Sequence, residues 1–215
     1  MRYLVFLGSV RDSSPPRPKR LGHRVARAVL AQLRRADHDV SLVDPLELNP
    51  EAAFKPHFAY AAGRAPAPLE AWARQIQEAE GYVMISPEYN HSMSPALAHL
   101  LNHFGSSLFS YKPSVIVTYS AGQWGGARAA VAMRTFLSEL GCLPVSAMVH
   151  VPKAQEVFDP EGHPHGDAES WDSYFGRALG QLDWWAAAAA YGRETLESPE
   201  PLTRDPSQRN APPSR

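Results

Sequence analysis

Tyr3-Leu4-Val5-Phe6-Leu7-Gly8-Ser9-Val10-Arg11 is an apolar run that stops at a glycine and continues into a hydroxyl and a cation. Such a run, bounded by a turn former, predicts a strand buried on both faces, as in a parallel sheet. A helical pattern follows. From Arg20 to Arg35, Leu21, Val25, Ala28, Val29 and Leu33 recur at helical spacing, with arginines on the other face.

The same alternation continues along the chain. Val40 to Val43 predicts a second strand, closed by Asp44-Pro45, and Leu46 to Pro68 an irregular excursion rich in Pro, Ala and aromatics. Helices are expected at Leu69–Glu80, Pro95–Phe104 and Gly126–Leu140, the last stopped by Gly141. Strands are expected at Tyr82–Ser86, Ser114–Tyr119 and Val145–Val151. A loop holding Pro160, Gly162, Pro164 and Gly166 leads to a final helix from about Asp167 to Glu194, in which Ala186 to Ala190 favours helix. The pattern predicts five strands in an α/β parallel sheet covered on both faces, one domain over residues 1–196. The alternation leaves the strand order open. Residues 197–215 are Pro-, Ser- and Arg-rich with almost nothing apolar, and a disordered tail is expected there.

The 215 residues carry a formal net charge of -1, which gives no basic field for nucleic acid. Arg11, Arg17, Arg20, Arg24 and Arg27 do cluster, which suits a small anion better than a polymer, while Arg27, Arg34 and Arg35 fit a solvated helix face. The single cysteine, Cys142, excludes an internal disulfide and reads as a buried, inert thiol. The opening segment is too short for a signal peptide, and no apolar run reaches the roughly 18 residues of a membrane helix. A soluble, cytoplasmic protein is expected.

Ligands of open parallel sheets collect beyond the carboxyl ends of the strands. Three strand-end loops carry unusual chemistry. Gly8-Ser9-Val10-Arg11-Asp12-Ser13-Ser14, continued by a Pro- and Arg-rich stretch to Arg20, places hydroxyls, amides and arginines ahead of a helix, as a phosphate monoester requires. The Gly-x-Gly-x-x-Gly fingerprint and the P-loop signature are both missing. Ser86-Pro87-Glu88-Tyr89-Asn90-His91-Ser92-Met93-Ser94-Pro95 is stiffened by proline and offers a flat aromatic and an amide, suited to a heteroaromatic ring. Its Ser94-Pro95 also fits the N-cap and first position of the next helix. Ser120-Ala121-Gly122-Gln123-Trp124-Gly125-Gly126 permits close backbone approach.

Taken together and in this order, the three loops resemble those of the NADPH-dependent FMN reductase family of flavodoxin-like proteins, with similarity from about Arg2 to Trp185. The resemblance implies a flavodoxin-like three-layer sandwich and noncovalent FMN. Ser9, Arg11 and Arg20 would hold the phosphate; Pro87, Glu88, Tyr89 and Asn90 would line the ring; Ser120, Gly122, Gly125 and Gly126 would meet its pyrimidine side. It implies an NAD(P)H-dependent oxidoreductase with NADPH or NADH as co-substrate. Hydride would pass to N5 of FMN, then two electrons to a quinone or free flavin, by a ping-pong scheme and without a protein nucleophile. Amides near Gly125-Gly126 would stabilise charge at the flavin N1. It also implies a homodimer or homotetramer. An azo-compound or metal-oxyanion reductase, or a non-enzymatic FMN-binding electron carrier, would share the scaffold. The chain departs from the family pattern in a lengthened first loop and in His91, where many members have glycine.

Other constellations carry less. His99 and His103 have metal-ligand spacing but no third partner in sequence, so no metal is expected. His163-Pro164-His165 reads as solvated, and Ser120 lacks the Gly-x-Ser-x-Gly context of a hydrolase. Trp184-Trp185 is expected to be buried, in the core or at a subunit interface.

Overall fold

In the computed structural model, residues 1–11, 20–47 and 54–196 are described. The elements in chain order are β1 (Arg2–Leu7), α1 (Leu21–Arg35), β2 (Asp39–Val43), α2 (Ala67–Glu78), β3 (Gly81–Pro87), α3 (Pro95–Asn102), the short α4 (Ser106–Phe109), β4 (Lys112–Tyr119), α5 (Ala127–Leu140), β5 (Cys142–Pro144), β6 (Val149–Val151), the short α6 (Ala154–Val157) and α7 (Ala168–Thr195). Short 3-10 turns at Pro45–Glu47 and His57–Ala59 punctuate the excursion after β2. The tail assigned to residues 197–215 lies outside the described residues.

All strand pairs are parallel, in the order β2-β1-β3-β4-β5, with β6 also pairing with β4. This is the doubly wound order of flavodoxin-like sheets. Alternate residues of each strand feed two separate cores. Tyr3, Val5 and Leu7 of β1 pack with α1 and α7, whereas Leu4 and Phe6 pack with α2, α3 and α5. That two-sided burial is why these strands read as unbroken apolar runs instead of alternating ones.

The expected fifth strand at Val145–Val151 is corrected. Its sheet position is filled by two short segments, β5 against Lys112–Ser114 and β6 against Val117–Tyr119. Between them the Ala147 amide donates to the Gln181 side chain at 2.8 Å, so a side chain of α7 takes the place of a ladder partner. Of the two places expected for Trp184 and Trp185, the core is corrected: they are 64% and 41% exposed on the chain and meet edge to face. The buried stripe of α7 is Phe175, Ala178, Leu179, Leu182 and Ala186; at helical spacing Trp184 falls opposite it and Trp185 at its edge.

Candidate functional site

A crevice of about 510 Å³ opens beyond the carboxyl ends of β1, β3 and β4. Its size lies within the usual range for small-molecule sites. Of the residues predicted to form a site, Ser9, Arg11, Arg20, Pro87, Glu88, Tyr89 and Ser120 line it. Gly8, Leu21, Ser94, Ala96 and Tyr119 line it too. Asn90, Gly122, Gly125 and Gly126 do not, and their roles are in the backbone.

The β1 loop leaves the sheet with its glycine wedged in place. Gly8 donates its amide to Ile85 O at 2.7 Å, and a Cβ there would lie 2.7 Å from the same oxygen. Ser9 follows, buried, and lines the crevice together with Tyr119. Burial raises the Tyr119 phenol far above its usual range, so it stays neutral.

The early arginines separate in space. Arg20 is 8% exposed and sits in the left-handed region at the N-cap of α1, φ 45°. Its Nη1 and Nη2 each donate to Asp44 at 2.8 Å, and Nη2 also donates to the Ser9 carbonyl. Arg24 donates to the Phe158 carbonyl at 2.8 Å and Arg27 to that of Pro160, so both tie α1 to a neighbouring loop. Arg11 stays exposed at the crevice, and Arg17 lies outside the described residues. Asp44 accepts from the Leu46 amide at 3.0 Å and stands 3.3 Å from His23 Nε2. Burial pushes its carboxyl up, but the hydrogen bonds from Arg20 and Leu46 together outweigh that and hold it below the usual range.

The β3 loop is a two-residue hairpin. Tyr89 and Ser92 exchange both backbone hydrogen bonds at 2.9 Å, with Asn90 at φ 49° and His91 at φ 62°. Positive φ at both central residues is the type I′ turn, which favours asparagine followed by glycine. Ser86 Oγ accepts from the Ser94 amide at 2.9 Å, and Ser94 Oγ caps α3 by accepting from the Leu97 amide at 3.1 Å. Glu88 pairs with Arg128 of α5 at 2.7 Å.

The β4 loop is closed by its serine. Ser120 Oγ donates to the Gly122 carbonyl at 2.8 Å and accepts from the Gly125 amide at 3.0 Å. Gly125 and Gly126 have φ of 59° and 77°, and a Cβ on Gly126 would lie 2.9 Å from Thr118 Cβ. The glycines therefore let the backbone fold onto β4, and the Gly125 amide is spent within the loop.

Two buried polar atoms of lining residues lack a partner: the donor Arg20 Nε near β1 and the acceptor Glu88 Oε2 beside β3. Buried polar groups are normally satisfied, so a crevice with a free donor near one end and a free acceptor near another suits a ligand of mixed polarity.

Elsewhere, the His99 and His103 Nε2 atoms are 3.4 Å apart beneath the Phe54 ring, with no third ligand for a metal among the described residues. His163 and His165 are exposed. Cys142 is fully buried, and burial pushes its thiol up to about 12. No described helix is long and apolar enough to cross a membrane. Sequence reasoning missed Tyr119 and Asp44. Each lay at a predicted strand end, but an apolar strand residue and a turn aspartate carry no signal of pairing across the fold.

Residues 1–156 match the family described as NADPH-dependent FMN reductase. The chain is 36% identical over 107 residues to an NAD(P)H-dependent FMN reductase of Pseudomonas aeruginosa, covering 48% of this chain and 57% of that protein. It is 39% identical over 75 residues to a quinone reductase of Escherichia coli, covering 34% and 40%. The chain thus spans about half the length of the curated relatives it matches. Among solved structures, the flavoenzyme FerB of Paracoccus denitrificans aligns with a TM-score of 0.66 at 19% identity, over 86% of this chain and 97% of its own. A flavodoxin of Pseudomonas aeruginosa aligns with a TM-score of 0.51 at 17% identity, over 84% and 99%. On its fold, its crevice and this match, the chain belongs to the NADPH-dependent FMN reductase family.

Proposed function

We propose that this chain is an NAD(P)H-dependent flavin oxidoreductase that holds FMN noncovalently in the crevice beyond β1, β3 and β4. The observation that carries this reading is the convergence of the three loops on one opening. Cations stand at its β1 side and a proline-braced aromatic hairpin at its β3 side. When bound, FMN supplies hydride and two-electron chemistry that side chains cannot.

The protein's part is to bind, orient and exclude water. Ser9 and Arg11 would hold the phosphate at the start of α1, helped by the helix N-terminus, with Arg20 in support. Pro87, Glu88 and Tyr89 would line the ring, and the Asn90-His91 turn would fix the hairpin that presents them. Ser120, Gly122, Gly125 and Gly126 would shape the remaining wall through the backbone. No nucleophile or general base is required of the protein, because the hydride chemistry is the cofactor's.

The nicotinamide donor and a quinone or free-flavin acceptor would occupy the crevice in turn. Parallel initial-velocity lines are expected; intersecting lines would exclude alternating occupancy. The class is tested by the visible spectrum of the purified protein, with FMN added, before and after anaerobic NADPH or NADH. Flavin absorbance that bleaches with one nucleotide supports the reading. A protein that stays colourless in excess FMN overturns it.

A further inference from the structure

The sequence marks Arg20 as a phosphate ligand, yet in the fold most of its donors are already used. Both Nη atoms grip Asp44 at 2.8 Å, and Nη2 reaches the Ser9 carbonyl as well. A two-point guanidinium–carboxylate pair of this kind fixes orientation as well as charge. It is buried, with Arg20 side-chain exposure at 8% and Asp44 at 15%. Asp44 neutralises this cation, so Arg11 is the lining arginine whose charge remains unpaired by these contacts.

The pair spans two strand ends. Asp44 follows β2, Ser9 follows β1, and the Arg20 amide donates back to the Arg11 carbonyl at 3.0 Å. Asp44 is itself held by the Leu46 amide and by His23. Arg20 also adopts a left-handed backbone, which costs a non-glycine residue roughly 1 kcal/mol or more and persists only where its surroundings enforce it. What enforces it here is the grip on Asp44 and Ser9. Of the guanidinium donors, Nε alone is buried without a partner.

We infer that Asp44, acting through Arg20, is a positioning residue that braces the Ser9 segment for a phosphate monoester. The brace makes the crevice distinguish phosphorylated from unphosphorylated flavin. The inference rests on the FMN reading above and deepens it. Asp44 lies outside the crevice lining, so its effect passes through the set of the Ser9 carbonyl and the Arg20 Nε edge. A ligand without the phosphate makes no use of that brace.

The test measures Kd for FMN and for riboflavin on full-length, flavin-free protein, by quenching of flavin fluorescence, for the wild type, Asp44→Asn and Arg20→Lys. Lysine keeps the charge but cannot hold a carboxylate at two points. Both variants are expected to weaken FMN about tenfold or more while riboflavin stays within about twofold. If Asp44→Asn fails to fold, Arg20→Lys alone decides. Wild type that binds FMN, with variants that weaken both flavins equally or neither, overturns the brace and leaves the FMN reading standing. Wild type that binds neither flavin overturns both.

Discussion

The hydroxyl of Tyr119 occupies the space that a side chain at Gly22 would need. A Cβ on Gly22 would lie 2.4 Å from Tyr119 Oη and 2.9 Å from Cζ. The start of α1 therefore rests against the last residue of β4, and the contact holds Tyr119 beside Ser9 at the crevice.

Gly22→Ala sets helix propensity against this contact. Alanine should favour α1 by up to ~1 kcal/mol, whereas overpacking costs about 1–3 kcal/mol. A net loss of about 1 kcal/mol or more is expected, seen as a lower urea midpoint. Tyr119→Phe in the same background should recover part of it by removing the colliding oxygen. A Gly22→Ala protein as stable as wild type would show that Tyr119 can step aside freely.

His91 holds the second left-handed position of the type I′ hairpin, φ 62°. Glycine adopts that conformation without steric cost. His91→Gly is expected to stabilise the protein by about 1 kcal/mol, raising Tm by ~2–4 °C. His91→Val should do the reverse, since a branched side chain suits positive φ worst. The two melting curves, run side by side, check the sign.

Lys112 is 7% exposed and donates to the carbonyls of Ile76 and Gln77 at 2.7 Å and of Leu108 at 3.2 Å, capping the end of α2. Lys112→Met leaves these acceptors unpaired and should cost about 2–3 kcal/mol at pH 7. Burial, followed by the nearby Arg193, pushes the ammonium down to about 8. Between that value and the ordinary lysine pKa of about 10.4, the unfolded chain binds more protons than the folded one. Wild-type stability should thus rise relative to Lys112→Met as pH climbs from 8 towards 10. A flat difference would show that Lys112 titrates normally.

Asp44 gives the opposite limb. Its folded pKa is lowered, so its contribution is complete above the unfolded value of about 3.9 and is lost as pH falls through the folded one. Asp44→Asn leaves the Arg20 cation buried without its counter-charge and should cost about 3 kcal/mol at neutral pH. The gap between wild type and variant should be constant above pH 4 and start to narrow below it, followed by thermal melts from pH 7 downwards. A gap that does not narrow at all as the acid limb is descended would mean the carboxylate charge is not what holds Arg20.

Much of this molecule is written locally. The mainly apolar runs at Tyr3–Leu7, Tyr82–Ser86 and Ser114–Tyr119 mark strands because a sheet covered on both faces buries nearly every side chain along them, Ser86, Ser114 and Thr118 included. Ser94-Pro95 starts a helix and Gly141 ends one, at φ 99°, because caps are chosen by backbone geometry at single positions. The loops of the crevice could be named for the same reason: each follows its own strand. Local pattern could not give the strand order, the split of the last strand around the Gln181 contact, or the exposure of Trp184 and Trp185. Nor could it assign partners to the arginines. Arg20 looks like a free cation until β2 brings Asp44 beside it, and Gly22 looks like a weak helix residue until β4 brings Tyr119 against it. Propensity, capping and periodicity act over a few neighbouring residues. Which charges neutralise each other, and which glycines have no room for a side chain, depend on segments that meet only once the sheet has assembled.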